Sequence, residues 1–228
     1  MGAPYRARFP FSPRGGIVSS PGAGEVVSEC AVAQKKHPRK KLLATLRESW
    51  EAGTPVQVHR SVEPEEVLEG VVLELSDEWV LLAGLREGAY LNGYHALRMN
   101  DLVDVEPETR FQPFLQRHHT WPPPRPAVNV ELSDLRSIVT VGASVAGVVS
   151  IYREAKRPGT LLIGAPIEWT KKNLWLLSIT PQCRWERQMD QIRLKDVTQV
   201  GFGGDYETAV LEVAGPVPPR SHPGPNTA

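Results

Sequence analysis

The chain has 228 residues, with 26 Lys+Arg against 26 Asp+Glu and a hydrophobic content of 41%. That is too apolar for a wholly disordered protein and long enough for one large domain or two small ones. No run reaches the roughly 18 apolar residues of a membrane-spanning helix, and two cysteines, Cys30 and Cys183, exclude a disulfide-dense scaffold.

Proline divides the chain: of 21 prolines, five lie in residues 1–38, six in 107–126 and five in 216–225. Such stretches resist helices and ladders, because proline lacks an N–H and fixes φ. Residues 1–37 therefore read as a disordered extension. They have no apolar core for a signal peptide, and Pro4, Pro10 and Pro13 oppose the amphipathic helix of a transit peptide. Residues 38–118 read as a helix, a first small barrel and a trailing helix. Residues 119–130, with Trp121-Pro-Pro-Pro-Arg-Pro126, read as a stiff linker. Residues 131–215 repeat the helix and barrel and end in a helix, and 216–228 read as a disordered tail.

Within the first unit, Leu42, Leu43, Leu46 and Trp50 form an apolar helical stripe behind Pro38 and ahead of Gly53. VQVHR then alternates as a half-buried strand does. EGVVLEL and EWVLLAGL follow around a Ser76-Asp-Glu78 turn, and LNGYHALRM and DLVDVE complete about five short strands. Five strands in some fifty residues point to a small closed barrel, since closure removes exposed edges.

The second unit echoes the first. Val56-Gln-Val58-His-Arg60 matches Val149-Ser-Ile151-Tyr-Arg153, Gly70 matches Gly164, and Glu74 matches Glu168. From Trp79 onward an offset of 95 aligns Val80 with Trp175, Tyr90 with Trp185 and Leu97 with Ile192. The same offset places Arg98 and Asp101 on Arg193 and Asp196, with five identities in 27 positions. It continues to Phe111 on Tyr206 and Leu115 on Val210. Ser133 is the expected N-cap of the second leading helix. Tyr206, Ala209, Val210 and Val213 are the expected inward face of the last one. The fold class is thus mainly β with flanking helices (α+β), as two tandem small β-barrels related by internal duplication.

A helix, a glycine-punctuated strand pair and a late Leu/Ile-Arg dipeptide together resemble the Sm-like version of the SH3-like small barrel, over about residues 39–106 and 133–201. With Arg193-Leu-Lys-Asp196 followed by Phe202-Gly-Gly-Asp-Tyr206, the chain also resembles uncharacterised bacterial tandem-repeat proteins. In Sm proteins an Asp and an Asn near the strand turn hold an RNA base. Here Ser76 or Asp77 stands for the Asp and Val80 for the Asn in the first unit, while Thr170 and Asn173 are one step out in the second. Arg98 and Arg193 match the second-motif arginine, but Met99 and Leu194 replace the glycine after it. The resemblance implies a backbone shape without that RNA pocket.

Charge is split unevenly. Residues 56–105 hold ten acids and three bases (net −7), and residues 149–200 hold five acids and nine bases (net +4). Only the second unit can attract a phosphate backbone. Its Lys171, Lys172, Trp175, Arg184, Trp185 and Arg187 interleave cations with aromatics as single-strand binders do. The plainer expectation is that Trp175 is a core strand residue and the lysines solvate a turn. Arg98/Asp101 and Arg193/Asp196 are expected to brace the turn between the last two strands, each arginine stem covering a barrel mouth.

Enzyme signatures fail on inspection. Gly142-Ala-Ser144-Val-Ala-Gly147 has the wrong spacing for a nucleophile elbow. Gly201-Phe-Gly-Gly204 lacks the dinucleotide-binding spacing, and His118-His119 has no companion metal ligand. No catalytic residue, metal or cofactor is expected. The reading is a cytoplasmic, non-catalytic interaction module for a protein partner or for self-association, without membrane contact. RNA or single-stranded nucleic-acid binding through the basic second barrel is the alternative.

Overall fold

A computed structural model describes residues 39–62 and 67–219. The expected N-terminal extension and most of the expected tail fall outside this range. The N-terminal half contains α1 (Arg39–Ala52), β1 (Pro55–Arg60), β2 (Val67–Leu75), β3 (Trp79–Arg86), β4 (Tyr90–Arg98) and β5 (Leu102–Pro107). After α2 (Gln112–His118) and α3 (Leu135–Ala146) the C-terminal half contains β6 (Val149–Tyr152), β7 (Leu161–Trp169), β8 (Asn173–Ser178), β9 (Asp190–Arg193), β10 (Gln199–Phe202) and α4 (Asp205–Ala214).

All ten strands form one sheet in the order β5-β1-β2-β3-β4-β10-β6-β7-β8-β9. The expected closed barrels are therefore not formed. Each half ends in an open edge, and the edge of one half that would have closed it pairs instead with the other half, β4 antiparallel to β10. The strand order within the two halves is nevertheless the same. Val56 faces Gly70 as Val149 faces Gly164, and Val58 faces Val105 as Ile151 faces Val200. The second and third strands are offset by a bulge at the same place, between Val72 and Glu74 and between Pro166 and Glu168. At both glycines backbone approaches closely: a Cβ would lie 2.8 Å from the Ala83 carbonyl oxygen at Gly70, and 2.2 Å from that of Leu177 at Gly164.

The ladders also correct the alignment. Glu74 and Leu75 face Leu81 and Val80, whereas Glu168 and Trp169 face Trp175 and Leu174. Trp175 thus occupies the position of Leu81, not of Val80. The extra residue belongs to the loop after the third strand, and a one-residue slip in a strand moves every side chain to the opposite face. Trp175 is accordingly half-buried on the outer face, while Leu174 and Leu176 enter the core.

Two cores explain the apolar patterns. Val80 and Leu82 of β3 join Leu42 and Leu46 of α1, Val56, Val58, Leu97 and Val105 inside the N-terminal half. Trp79, Leu81 and Ala83 of the same strand point the other way, into a core with Val130, Leu132, α3 and the C-terminal strands. β3, WVLLAGLR, is buried on both faces along most of its length, whereas the burial of β8 alternates residue by residue. The proline-rich connection between the halves is itself packed: Trp121 rests on the larger core and Val130 and Leu132 lie within it.

Two helix details differ from expectation. Asp134, not Ser133, caps α3, its carboxylate accepting from the Arg136 and Ser137 N–H groups. On α4 it is Val210 and Glu207 that turn inward, whereas Tyr206 is 61% and Val213 71% exposed. Leu211 and Ala214 pack beside Val210 at the margin, and the face that carries Tyr206 and Val213 lies beyond that contact.

The halves approach closely at Gly93, at φ 70°, where an added Cβ would lie 2.5 Å from the Gly204 nitrogen and 2.7 Å from the Phe202 oxygen. Gly93→Ala should cost about 3 kcal/mol in denaturant unfolding. Gly159→Ala, at a similar φ but with nothing within 4 Å, should cost about 1 kcal/mol. Equal costs would show that contact between the halves contributes nothing at Gly93.

Candidate functional site

At one end of the sheet each half builds the same pair of turns. Ser76 Oγ accepts from the Glu78 and Trp79 N–H groups, and Thr170 Oγ1 accepts from those of Lys172 and Asn173. A short 3₁₀ turn follows the fourth strand, Met99–Asp101 in one half and Leu194–Asp196 in the other. It is tied to the first turn by Met99 N–H on the Glu78 oxygen (2.8 Å) and by Leu194 N–H on the Lys172 oxygen (2.9 Å). A hollow lies beside each pair of turns.

The two hollows differ in what occupies them. The N-terminal one, about 460 Å³, is lined by both signs of charge, Glu78 and Asp134 with Arg98 and Lys195. Arg39 reaches across these turns to Asn100 Oδ1 (2.9 Å) and to the Asp77 carbonyl (3.1 Å). The C-terminal hollow, about 650 Å³, is lined by Lys171, Lys172, Asn173, Arg193, Leu194 and Lys195. Four cations and no carboxylate line it, so their fields add and the hollow attracts anions.

The seam between the halves is held by polar groups as well as by the β4–β10 ladder. Arg98 lies over the Trp79 ring and donates to the carbonyls of Leu194 (3.2 Å) and Lys195 (3.1 Å), gripping the 3₁₀ turn of the other half. Arg60, its side chain fully buried at the end of β1, pairs with Glu154 at 3.0 Å and donates to Gln199. Thr198 Oγ1 donates to the same Glu154 carboxylate. Gln199 Nε2 lies 3.3 Å from His95 Nδ1, and Ser150 donates to Glu207.

Burial pushes the His95 pKa below its ordinary value and the Arg60 charge pushes the same way, against an upward pull from Glu207. Burial raises the Asp101 carboxyl, with Arg98 and Arg60 opposing and Glu154 reinforcing.

The structure separates the residues that the sequence grouped. Lys171 and Lys172 line the cationic hollow together with Arg193. Arg184, Trp185 and Arg187 line a different hollow at the other end of β8, about 20 Å away by strand rise. They do not form one stripe with the lysines. Trp185 instead donates its indole N–H to the Gly215 carbonyl (3.1 Å) and packs beside Val210. Trp175 stands on the outer face between Glu168 and Gln191.

The expected braces also diverge. Arg98 spans the seam instead of covering a barrel mouth, whereas Arg193 is exposed. Asp101 receives the Ser61 N–H (2.7 Å) through its backbone oxygen, not its carboxylate. Asp196, half-buried, follows Lys195 in the matching 3₁₀ turn. Ser144 sits inside α3 bonded to the Val141 carbonyl.

Arg60, His95, Glu154, Gln199 and Glu207 carried no sequence signal as a group. Their only local hint is an arginine closing the apolar strand VQVHR, and Arg60 and Gln199 are 139 positions apart. Among the described residues no three His, Cys, Asp or Glu side chains gather as a metal site, and no helix is long and apolar enough to cross a membrane. No protein-family model, curated protein or solved structure matches the chain.

His95 gives a pH test. Its folded-state pKa is below the unfolded one, so the unfolded chain binds the extra proton, and the stability it contributes is lost as pH falls below about 6.5. Asp101, with its pKa raised, opposes this only in the carboxylate range. Denaturant midpoints between pH 7.5 and 5.5 should fall more steeply for the native chain than for His95→Gln. Parallel slopes would remove His95 from the seam's pH response.

Proposed function

We propose that this chain is a duplicated, non-catalytic interaction module that joins copies of itself head to tail through its sheet edges. The observation that carries this is the seam. Within one chain, the fourth strand of the first half pairs with the fifth strand of the second, and Arg98 locks it. The counterparts of these two edges are the outermost strands of the sheet: β9 at one end and β5 at the other. Unpaired edges present free backbone donors and acceptors to another chain. Arg193, which occupies the ladder position of Arg98, stands exposed at the free edge.

The matching strand order, ladder pairs and bulge support duplication, and duplication makes the outer edges complementary as the inner ones are. Charge favours the same pairing: β5 belongs to the half of net −7 and β9 to the half of net +4. Transferring the seam register places Gln191 opposite Val105 and Asp190 opposite Glu106. The last pair is like-charged, which opposes the pairing at that one position. A head-to-tail contact of this kind gives rings if it closes and filaments if it does not.

Sedimentation velocity should show species at integer multiples of the single-chain mass. Arg193→Glu should shift them to the single chain, raising the dissociation constant at least tenfold, on the order of 1.4 kcal/mol. Gln191→Pro, which removes an edge N–H, should act alike. A native chain that remains single at high concentration overturns the proposal.

A second reading has its own observation, the acid-free cluster of Lys171, Lys172, Arg193 and Lys195 around one hollow. A single-stranded nucleic acid could seat a phosphate there. With a labelled oligonucleotide, affinity should then fall steeply with salt, and Lys171→Glu with Lys172→Glu should abolish it. Binding that is insensitive to both would retire this reading.

A further inference from the structure

The N-terminal half carries a segment of its own chain across one face of its strands, and the C-terminal half leaves the same face half-open. Trp121 to Leu132 straps the outer face of β2, β3 and β4. Ser76 Oγ donates to the Leu132 carbonyl (3.0 Å) and Tyr94 Oη to that of Pro124 (3.1 Å). Arg125 Nη1 lies 3.9 Å from the Glu74 carboxylate. Pro123, Val130 and Leu132 are buried, the last two in the core that holds Leu73, Leu81 and Ala83.

The C-terminal half repeats the parts that hold this strap. Thr170 stands at the place of Ser76, each hydroxyl accepting from the N–H groups two and three residues on. Glu168 stands at the place of Glu74, directly after the bulge, and among the described residues no cation pairs with it. By ladder position Ile167, Trp175 and Leu177 form the apolar floor, half-buried where Leu73, Leu81 and Ala83 are covered. Arg193 on this face does not oppose a second arginine. Arg98 holds its place in the N-terminal half, over the Trp79 ring, and Arg125 still reaches Glu74. The floors differ in that Trp175 replaces Leu81, which offers an indole to a proline ring. Aromatic surfaces recognise proline-rich segments by this contact.

We infer that the outer face of β7, β8 and β9 is a docking site for an extended proline-rich segment of a partner protein, with an arginine that pairs with Glu168. This rests on the equivalence of the two halves but not on association through sheet edges. The strap is the same kind of ligand supplied within the chain: Pro-Pro-Arg lying over an apolar floor beside a carboxylate. Proline keeps the ordering cost of such a segment low, because its φ is already fixed in the free peptide. The arginine supplies register, since one ion pair fixes which proline meets Trp175. The strapped face stays closed to the same ligand, because the strap is tethered at both ends and competes at high effective concentration.

The probe is a synthetic peptide with the sequence of residues 122–132, titrated into isotope-labelled full-length chain. Edge association depends on the concentration of the chain, so the chain is held constant while the peptide varies. The indole N–H resonance of Trp175 should move and saturate. Glu168→Arg in the chain, or Arg125→Glu in the peptide, should weaken binding about two- to fivefold, as a partly exposed ion pair allows. Combining the two reversals should restore the original affinity. A Trp175 resonance unmoved by a millimolar excess of peptide, or a combined reversal that binds no better than the single ones, overturns the inference.

Discussion

The antiparallel pairing of β4 with β10 is the contact on which the rest of the molecule depends. Each half alone is a bent five-stranded sheet with two open edges, a poor solution in water because unpaired backbone groups invite other chains. Joining one edge from each half satisfies both and continues a single sheet. It also brings the outer face of β3 against the larger core, so that Trp79, Leu81 and Ala83 are buried as fully as Val80 and Leu82 behind them. A net gain of about 1 kcal/mol per hydrogen bond would not hold the halves alone. The apolar surface that the pairing covers supplies most of the rest.

Polar groups at this seam do something apolar ones cannot, which is to fix register. Arg98 finds two carbonyls of one 3₁₀ turn, and Arg60 finds Glu154 and Gln199. Shifting β10 by one residue along β4 would strand these charges without their partners, at a cost of several kcal/mol for a buried pair. The close approach of Gly93 to Gly203 and Gly204 acts in the same direction, since it fits at one alignment only. Gly203 and Gly204 are thereby accounted for by the contact of two backbones.

The two halves stop being alike at three surfaces. The same ladder position holds an engaged arginine at 98 and an exposed one at 193. The same turns are bridged by Arg39 in one half and leave an open, wholly cationic hollow in the other. The same outer face is strapped in one half and half-exposed in the second. In each case the N-terminal half uses a neighbouring part of this chain to complete a surface, and the C-terminal half leaves its counterpart uncovered. The net charges of −7 and +4 give the two strand regions fields of opposite sign.

Local sequence was sufficient for the strands, for α1 and its buried Leu42 and Leu46, for the turns at Ser76 and Thr170, and for the correspondence of Gly70 with Gly164. These depend on periodicity, turn chemistry and steric need within a few residues, all of which are written locally. Only the tertiary structure decided that the barrels stay open, because whether an edge closes on its own half or on the next is a competition between distant strands. It also decided which face Trp175 takes, since a single residue of loop length inverts a strand. Packing alone turned Tyr206 and Val213 of α4 to solvent and split Lys171 from Arg184, as neither outcome depends on the neighbours of those residues in the chain. The seam cluster of Arg60, His95, Glu154 and Gln199 lies beyond local patterns for the same reason: its members meet only once both halves have folded.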